Sequence, residues 1–112
     1  METKNALSAL AALAQESRLA VFRYLVQIGP EGVPASRIGE ELSIPPSSLS
    51  FHLKELLNAD LVTARAEGRF IFYAARFATM NALLEFLTEN CCGGNPCSPL
   101  CVPDCSPQGA AS

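Results

Sequence analysis

Five cysteines, all within the last fifth of this 112-residue chain, carry its clearest chemical potential: Cys91, Cys92, Cys97, Cys101 and Cys105. The ninety residues before them contain no thiol. Thiolates are soft donors and select soft centres. Trivalent arsenic or antimony takes three of them in a pyramid and leaves its lone pair unbonded. The cysteines are adjacent at first, then separated by four, three and three residues, with no C-x-x-C. That pattern argues against a zinc ribbon and against a thioredoxin-like redox pair. Adjacent cysteines do not share a helical face, but a fraying helix end lets the backbone turn both sulfurs inward. Gly93 and Gly94 allow the chain to fold back, so that Cys97 joins them. From the residues alone a trivalent metalloid, a soft cation such as cadmium or zinc, redox sensing and a passive tail all remain open.

A second chemistry lies in the middle of the chain. Ser47, Ser48, Phe51, His52, Lys54 and Glu55 fall off the leucine stripe of a helix expected from Pro46 to about Ala59. Short hydroxyls near a helix start, followed by His and Lys, suit a helix whose N-terminal half enters a major groove. Serine donates to or accepts from base edges and phosphates, and the helix N-terminus favours a phosphate through its unpaired N–H groups. Arg65 and Arg69 lie on a hairpin whose surroundings, residues 65–76, hold three arginines against Glu67, a local charge of +2. The alternative is that Ser47 and Ser48 cap the helix and the arginines solvate a turn.

These residues need a scaffold, and the periodicity supplies one. Leu7, Leu10, Leu13 and Ala14 are three to four apart, giving an amphipathic helix over about 5–15. Leu19, Phe22, Leu25 and Val26 continue the pattern from Glu16 to about Ile28, where Gly29-Pro30 stops it. Ala35 to Leu42 reads as a short helix with Ile38 and Leu42 inward, and Ser43-Ile44-Pro45 as a tight turn. Leu49, Leu53 and Leu56 then form the buried stripe of the next helix, so the pair has helix-turn-helix dimensions. The period drops to two at Val62–Ala66 and Phe70–Ala74, strands joined by a turn at Glu67-Gly68-Arg69. Helical spacing returns from Phe77 to about Thr88. The expected fold is mainly α with a β-hairpin, in the order α-α-α-α-β-β-α, over residues 1–90. Residues 91–112 are expected to form a flexible Cys/Gly/Pro-rich tail with little regular structure.

Bulk properties narrow the function classes. A chain of this length is one small domain, 49% apolar and with a net charge of −3. The acidic balance does not advertise nucleic-acid binding, although a local basic edge suffices. No apolar stretch approaches the ~20 residues that span a bilayer, and Met1–Asn5 lacks the regions of a signal peptide. A cytoplasmic protein without a membrane partner is expected, where disulfides are uncommon. With one histidine and no acid/base pair beside a nucleophile, an enzyme is not expected. A protein-binding or metal-buffering module is a further alternative.

Ser50-Phe51-His52-Leu53-Lys54, Leu56, Ala59-Asp60-Leu61-Val62, Glu67-Gly68-Arg69 and Tyr73 together resemble the signature of the ArsR/SmtB family of winged-helix repressors. Arg18-Leu19, followed by Phe22 and Leu25, resembles that family's opening helix pattern. The resemblance implies a winged helix-turn-helix homodimer formed through the first and last helices, with double-stranded operator DNA as its partner. It implies DNA contacts by Ser47, Ser48, Ser50 and His52, to which Lys54, Arg65 and Arg69 are added from the residues themselves. Pro46 stands where the family often has Gln, and Ser50 has the alternative of facing inward. Leu87-Thr88-Glu89-Asn90-Cys91-Cys92 resembles the end of the last helix in arsenic-responsive members. By that likeness Cys91, Cys92 and Cys97 are the ligands for trivalent arsenic, As(III), as inducer, with Cys101 and Cys105 accessory. The implied function is repression of an arsenic-resistance operon, relieved by arsenite, methylarsenite or antimonite. A cadmium-, zinc- or redox-responsive repressor of the same fold is the alternative.

Overall fold

The computed structural model describes residues 1–90. The elements are α1 (Thr3–Leu13), α2 (Glu16–Ile28), β1 (Val33–Pro34), α3 (Ala35–Leu42), α4 (Pro46–Asn58), β2 (Val62–Glu67), β3 (Phe70–Ala75) and α5 (Phe77–Leu87). The expected order is present with one addition, the strand β1. Two residues offer no alternation to read, so this strand exists through its partner. Val33 pairs with Tyr73 and Pro34 with Phe72, antiparallel. The sheet order is β1-β3-β2, and at this edge a proline lacking an N–H is tolerated.

The joints between elements are set by short-range bonds. The side chain of Gln15 accepts the N–H of Arg18 at 2.9 Å and caps α2. After α3, Ser43 adopts a left-handed conformation (φ 55°), and the Ile44 N–H reaches back to the Gly39 carbonyl at 3.1 Å. Pro45 then precedes Pro46, whose fixed φ suits the first position of α4. At the far end of α4, Leu61 N–H donates to the Leu56 carbonyl and Asp60 N–H to that of Leu57, both at 3.0 Å. With Asp60 at φ 65°, this is a Schellman stop. It directs the chain straight into β2.

The core is wholly apolar among the described residues. Val21, Leu25, Ile38, Leu56, Leu61 and Val62 are its largest fully enclosed side chains. Leu49, Leu53 and Leu56 bury one face of α4, as their spacing predicts. On α1 the packing face departs from the leucine stripe, of which only Leu13 packs against the core. Ala6, Ala9 and Ala12 are buried, whereas Leu7 is 62% exposed and Leu10 39%. Both sets have helical spacing, but only methyl-sized side chains let α1 lie close against its neighbours. Leu19, expected inward, is also exposed, as is Leu87 on α5, a helix that touches α1.

Candidate nucleic-acid interface

The N-terminal turn of α4 decides one question left open by the sequence. The N-cap is Pro45 and no side chain caps the helix. Ser47 and Ser48 therefore sit inside the first turn, exposed, with hydroxyls that make no hydrogen bond among the described residues. The first N–H to close an intrahelical bond is that of Leu49, which reaches the Pro45 carbonyl at 2.9 Å. Pro46 has no N–H, so the amides of Ser47 and Ser48 face outward without helical acceptors. An acidic oxygen such as a phosphate suits that end.

Further along, Ser50, Phe51 and Lys54 are exposed while Leu49 and Leu53 are buried. Ser50 therefore faces outward. His52 is half-buried on the flank of the helix. Its Nδ1 lies 3.4 Å from Nη1 of Arg18. A guanidinium only donates, so the ring nitrogen is the acceptor in this contact. Nε of the same Arg18 donates to the Ala12 carbonyl at 2.7 Å. One side chain on α2 thus links the last turn of α1 to the middle of α4. Nothing in the sequence marks that link, because Arg18 and His52 are 34 residues apart.

The hairpin separates its two arginines. Arg65 is exposed but tied to its neighbours: Nε donates to Glu67 Oε2 at 2.8 Å, Nη2 to the Glu31 carbonyl at 3.0 Å, and the guanidinium lies 5.3 Å from the Phe72 ring centroid. Phe72 is its cross-strand partner in the β2–β3 register. The ion pair is solvent-exposed on both sides, so it orients the guanidinium more than it stabilises the fold. Arg69 sits at the tip, exposed, with no ion pair or side-chain hydrogen bond among the described residues. Arg76 pairs with Asp60 at 3.2 Å, at the base of the sheet. Of the expected DNA-facing residues, Ser47, Ser48, Ser50, Lys54, Arg65 and Arg69 are exposed. His52 and Arg65 are already engaged.

All of Cys91, Cys92, Cys97, Cys101 and Cys105 lie outside the described residues. Among those described, no three His, Cys, Asp or Glu side chains cluster as a metal site. No described helix is long and apolar enough to cross a membrane. The helix α5 ends at Leu87, and Asn90 turns the backbone with φ 58° immediately before Cys91.

Comparison with known proteins gives a consistent result. The helix-turn-helix domain family matches residues 13–65. The arsenical resistance operon repressor of Bacillus subtilis (strain 168) is 36% identical over 81 residues, which cover 72% of this chain and 73% of that protein. An ArsR-like transcriptional regulator from Rhodococcus sp. RHA1 superposes with a TM-score of 0.67 at 28% identity, covering 75% of this chain and 76% of its own. A possible transcriptional regulator for arsenical resistance gives a TM-score of 0.59 at 26% identity, over 72% and 84% of the two chains.

Proposed function

Since the chain belongs to the ArsR family of winged helix-turn-helix transcriptional regulators, we propose that it represses an arsenic-resistance operon and leaves its operator when trivalent arsenic binds the C-terminal thiols. The observation that carries the DNA-binding half is the outward face of α4. It combines two unpaired amides, three exposed serines and Lys54 on a protein that is otherwise acidic. Ser47 and Ser48 anchor a phosphate or base edge at the helix start, and Lys54 follows the backbone further along. Arg69 reaches the flanking groove from the wing, while Arg65 braces the hairpin. His52 is positioned by Arg18 at the edge of the groove.

Two copies are proposed to associate through α1 and α5. Leu7, Leu10 and Leu87, exposed on two touching helices, support that pairing. The two recognition helices then address both halves of a palindromic operator.

The sensing half rests on donor chemistry and on the Bacillus relative. Cys91, Cys92 and Cys97 are proposed to hold As(III), with Cys101 and Cys105 as accessory ligands. A trivalent arsenical supplies a soft centre that exchanges oxygen ligands for sulfur, each thiol giving its proton to the departing oxygen. Capture ties the tail to the end of α5, and α5 belongs to the proposed dimer contact. Coupling of about 1–3 kcal/mol, or ~5–150-fold, is enough for induction. It is reciprocal, so operator DNA weakens arsenic binding by the same factor.

The direct test is a gel shift of the full chain on its own promoter DNA, with and without arsenite. A shifted band that arsenite removes supports the proposal; a band indifferent to arsenite, or no band, refutes it. Parallel titrations with methylarsenite, antimonite, cadmium and zinc separate a metalloid inducer from a soft cation. Arg69→Ala is expected to weaken binding at all DNA sequences and to lower the slope of log affinity against log salt by about one phosphate's worth. Anisotropy measured across a salt series checks this, and an unchanged slope removes Arg69 from the contact set.

A further inference from the structure

We infer that Phe51 reads the 5-methyl group of thymine in the major groove, which makes it a specificity-determining residue of α4. The inference rests on the DNA-binding reading above. Successive helical residues are rotated by about 100°. With Leu49, Leu53 and Leu56 marking the inward side, Phe51 falls almost diametrically opposite, with Ser47 about one turn before it and Lys54 about one turn after. The ring is 55% exposed, so more than half of it is available to whatever meets the outward face. It is also held in place. The His52 ring packs against it edge-on, with centroids 5.7 Å apart and planes at 62°, and Arg18 in turn holds His52.

A groove-entering helix meets phosphates, polar base edges and one apolar group, the thymine methyl. Phosphate contacts position the protein but carry no sequence information. The hydroxyls of Ser47, Ser48 and Ser50 donate and accept equally, so they discriminate weakly among bases. Phe51 is the one large apolar side chain exposed on α4, and it has neither a donor nor an acceptor. In the groove it finds a favourable partner only where a thymine presents its methyl. A cytosine at the same position leaves the ring against a polar amino group, which loses water without gaining a bond.

The experiment compares two duplexes of the promoter fragment that the protein protects from nuclease digestion. One is made with thymidine and the other with deoxyuridine throughout, so that only the 5-methyl groups differ. Anisotropy is measured at fixed salt with the full-length wild type, Phe51→Ala and Phe51→Leu. The wild type is expected to bind the deoxyuridine duplex about fourfold more weakly for each methyl contacted, the effect of one buried methyl group. Phe51→Ala is expected to bind both duplexes alike, and Phe51→Leu to keep part of the preference. Equal wild-type affinity for the two duplexes overturns the inference. So does an undiminished preference in Phe51→Ala, because the methyl is then sensed elsewhere or through duplex shape. If no fragment is protected, the DNA-binding reading fails as well; a protected fragment without methyl preference removes only the inference.

Discussion

Cys92→Ser protein is expected to bind its promoter with wild-type affinity and to stay bound at arsenite concentrations that release the wild type. Serine is nearly isosteric with cysteine, but its hydroxyl is a harder donor that stays protonated at neutral pH. The proposed pyramid of Cys91, Cys92 and Cys97 at the end of α5 cannot be completed, and the proposed ~5–150-fold weakening of DNA binding is expected to collapse. Cys91→Ser is expected to behave in the same way. The DNA-reading elements are built from residues 1–90, which contain no cysteine, so neither change touches the recognition face. Gel shifts across an arsenite series measure the effect, with Cys101→Ser as a variant that keeps its response. Normal release from Cys91→Ser and Cys92→Ser would show that the sensor lies elsewhere.

The second large effect is on stability. Gly32 joins α2 to β1 with φ +74°, and a Cβ built there falls 2.5 Å from the Tyr73 carbonyl oxygen and 3.0 Å from its carbon. Both contacts are with backbone of the central strand, which cannot turn aside as a side chain can. Gly32→Ala therefore combines left-handed strain with displacement of β1 from β3, for a loss of about 2–4 kcal/mol. In a domain this small that lowers the melting temperature by roughly 10–30 °C. Gly68→Ala is the matched control, since its φ is +62° but nothing lies within 4 Å of the added carbon. Only the strain of about 1 kcal/mol applies there. Thermal melts followed by circular dichroism compare the two. Equal losses would mean that the loop does not approach β3 as closely as described.

Much of this fold is legible in the sequence because its leucines are unambiguous. Leu49, Leu53 and Leu56 define α4, and paired breakers mark the ends of its neighbours. The exception on α1 is instructive. Hydrophobicity ranks Leu7 and Leu10 above Ala6 and Ala9, yet burial follows fit, and close helix approach selects the smaller residues. Hydrophobic spacing finds two apolar faces on such a helix without saying which one the chain itself covers. The strand β1 is hidden for a different reason: its pairing with β3 is non-local, and neither Val33 nor Pro34 has a local pattern.

The interface follows the same division. Exposure of Ser47, Ser48 and Lys54 follows from their angle to the leucine stripe. The fates of Arg65 and His52 do not, because each depends on a group 34 residues away in sequence, Glu31 and Arg18 respectively. Long-range pairings of single polar groups leave no periodic trace. The thiol cluster is the reverse case: spacing and softness suggest its chemistry, while its geometry lies outside the described residues.

The bridge made by Arg18 has a mechanical consequence. Its base is on α2, one nitrogen donates to the last turn of α1, and another touches the flank of the helix proposed to enter the groove. Because α1 also packs directly on α4, a shift of the first helix is expected to be felt at the recognition helix both through that packing and through this one guanidinium.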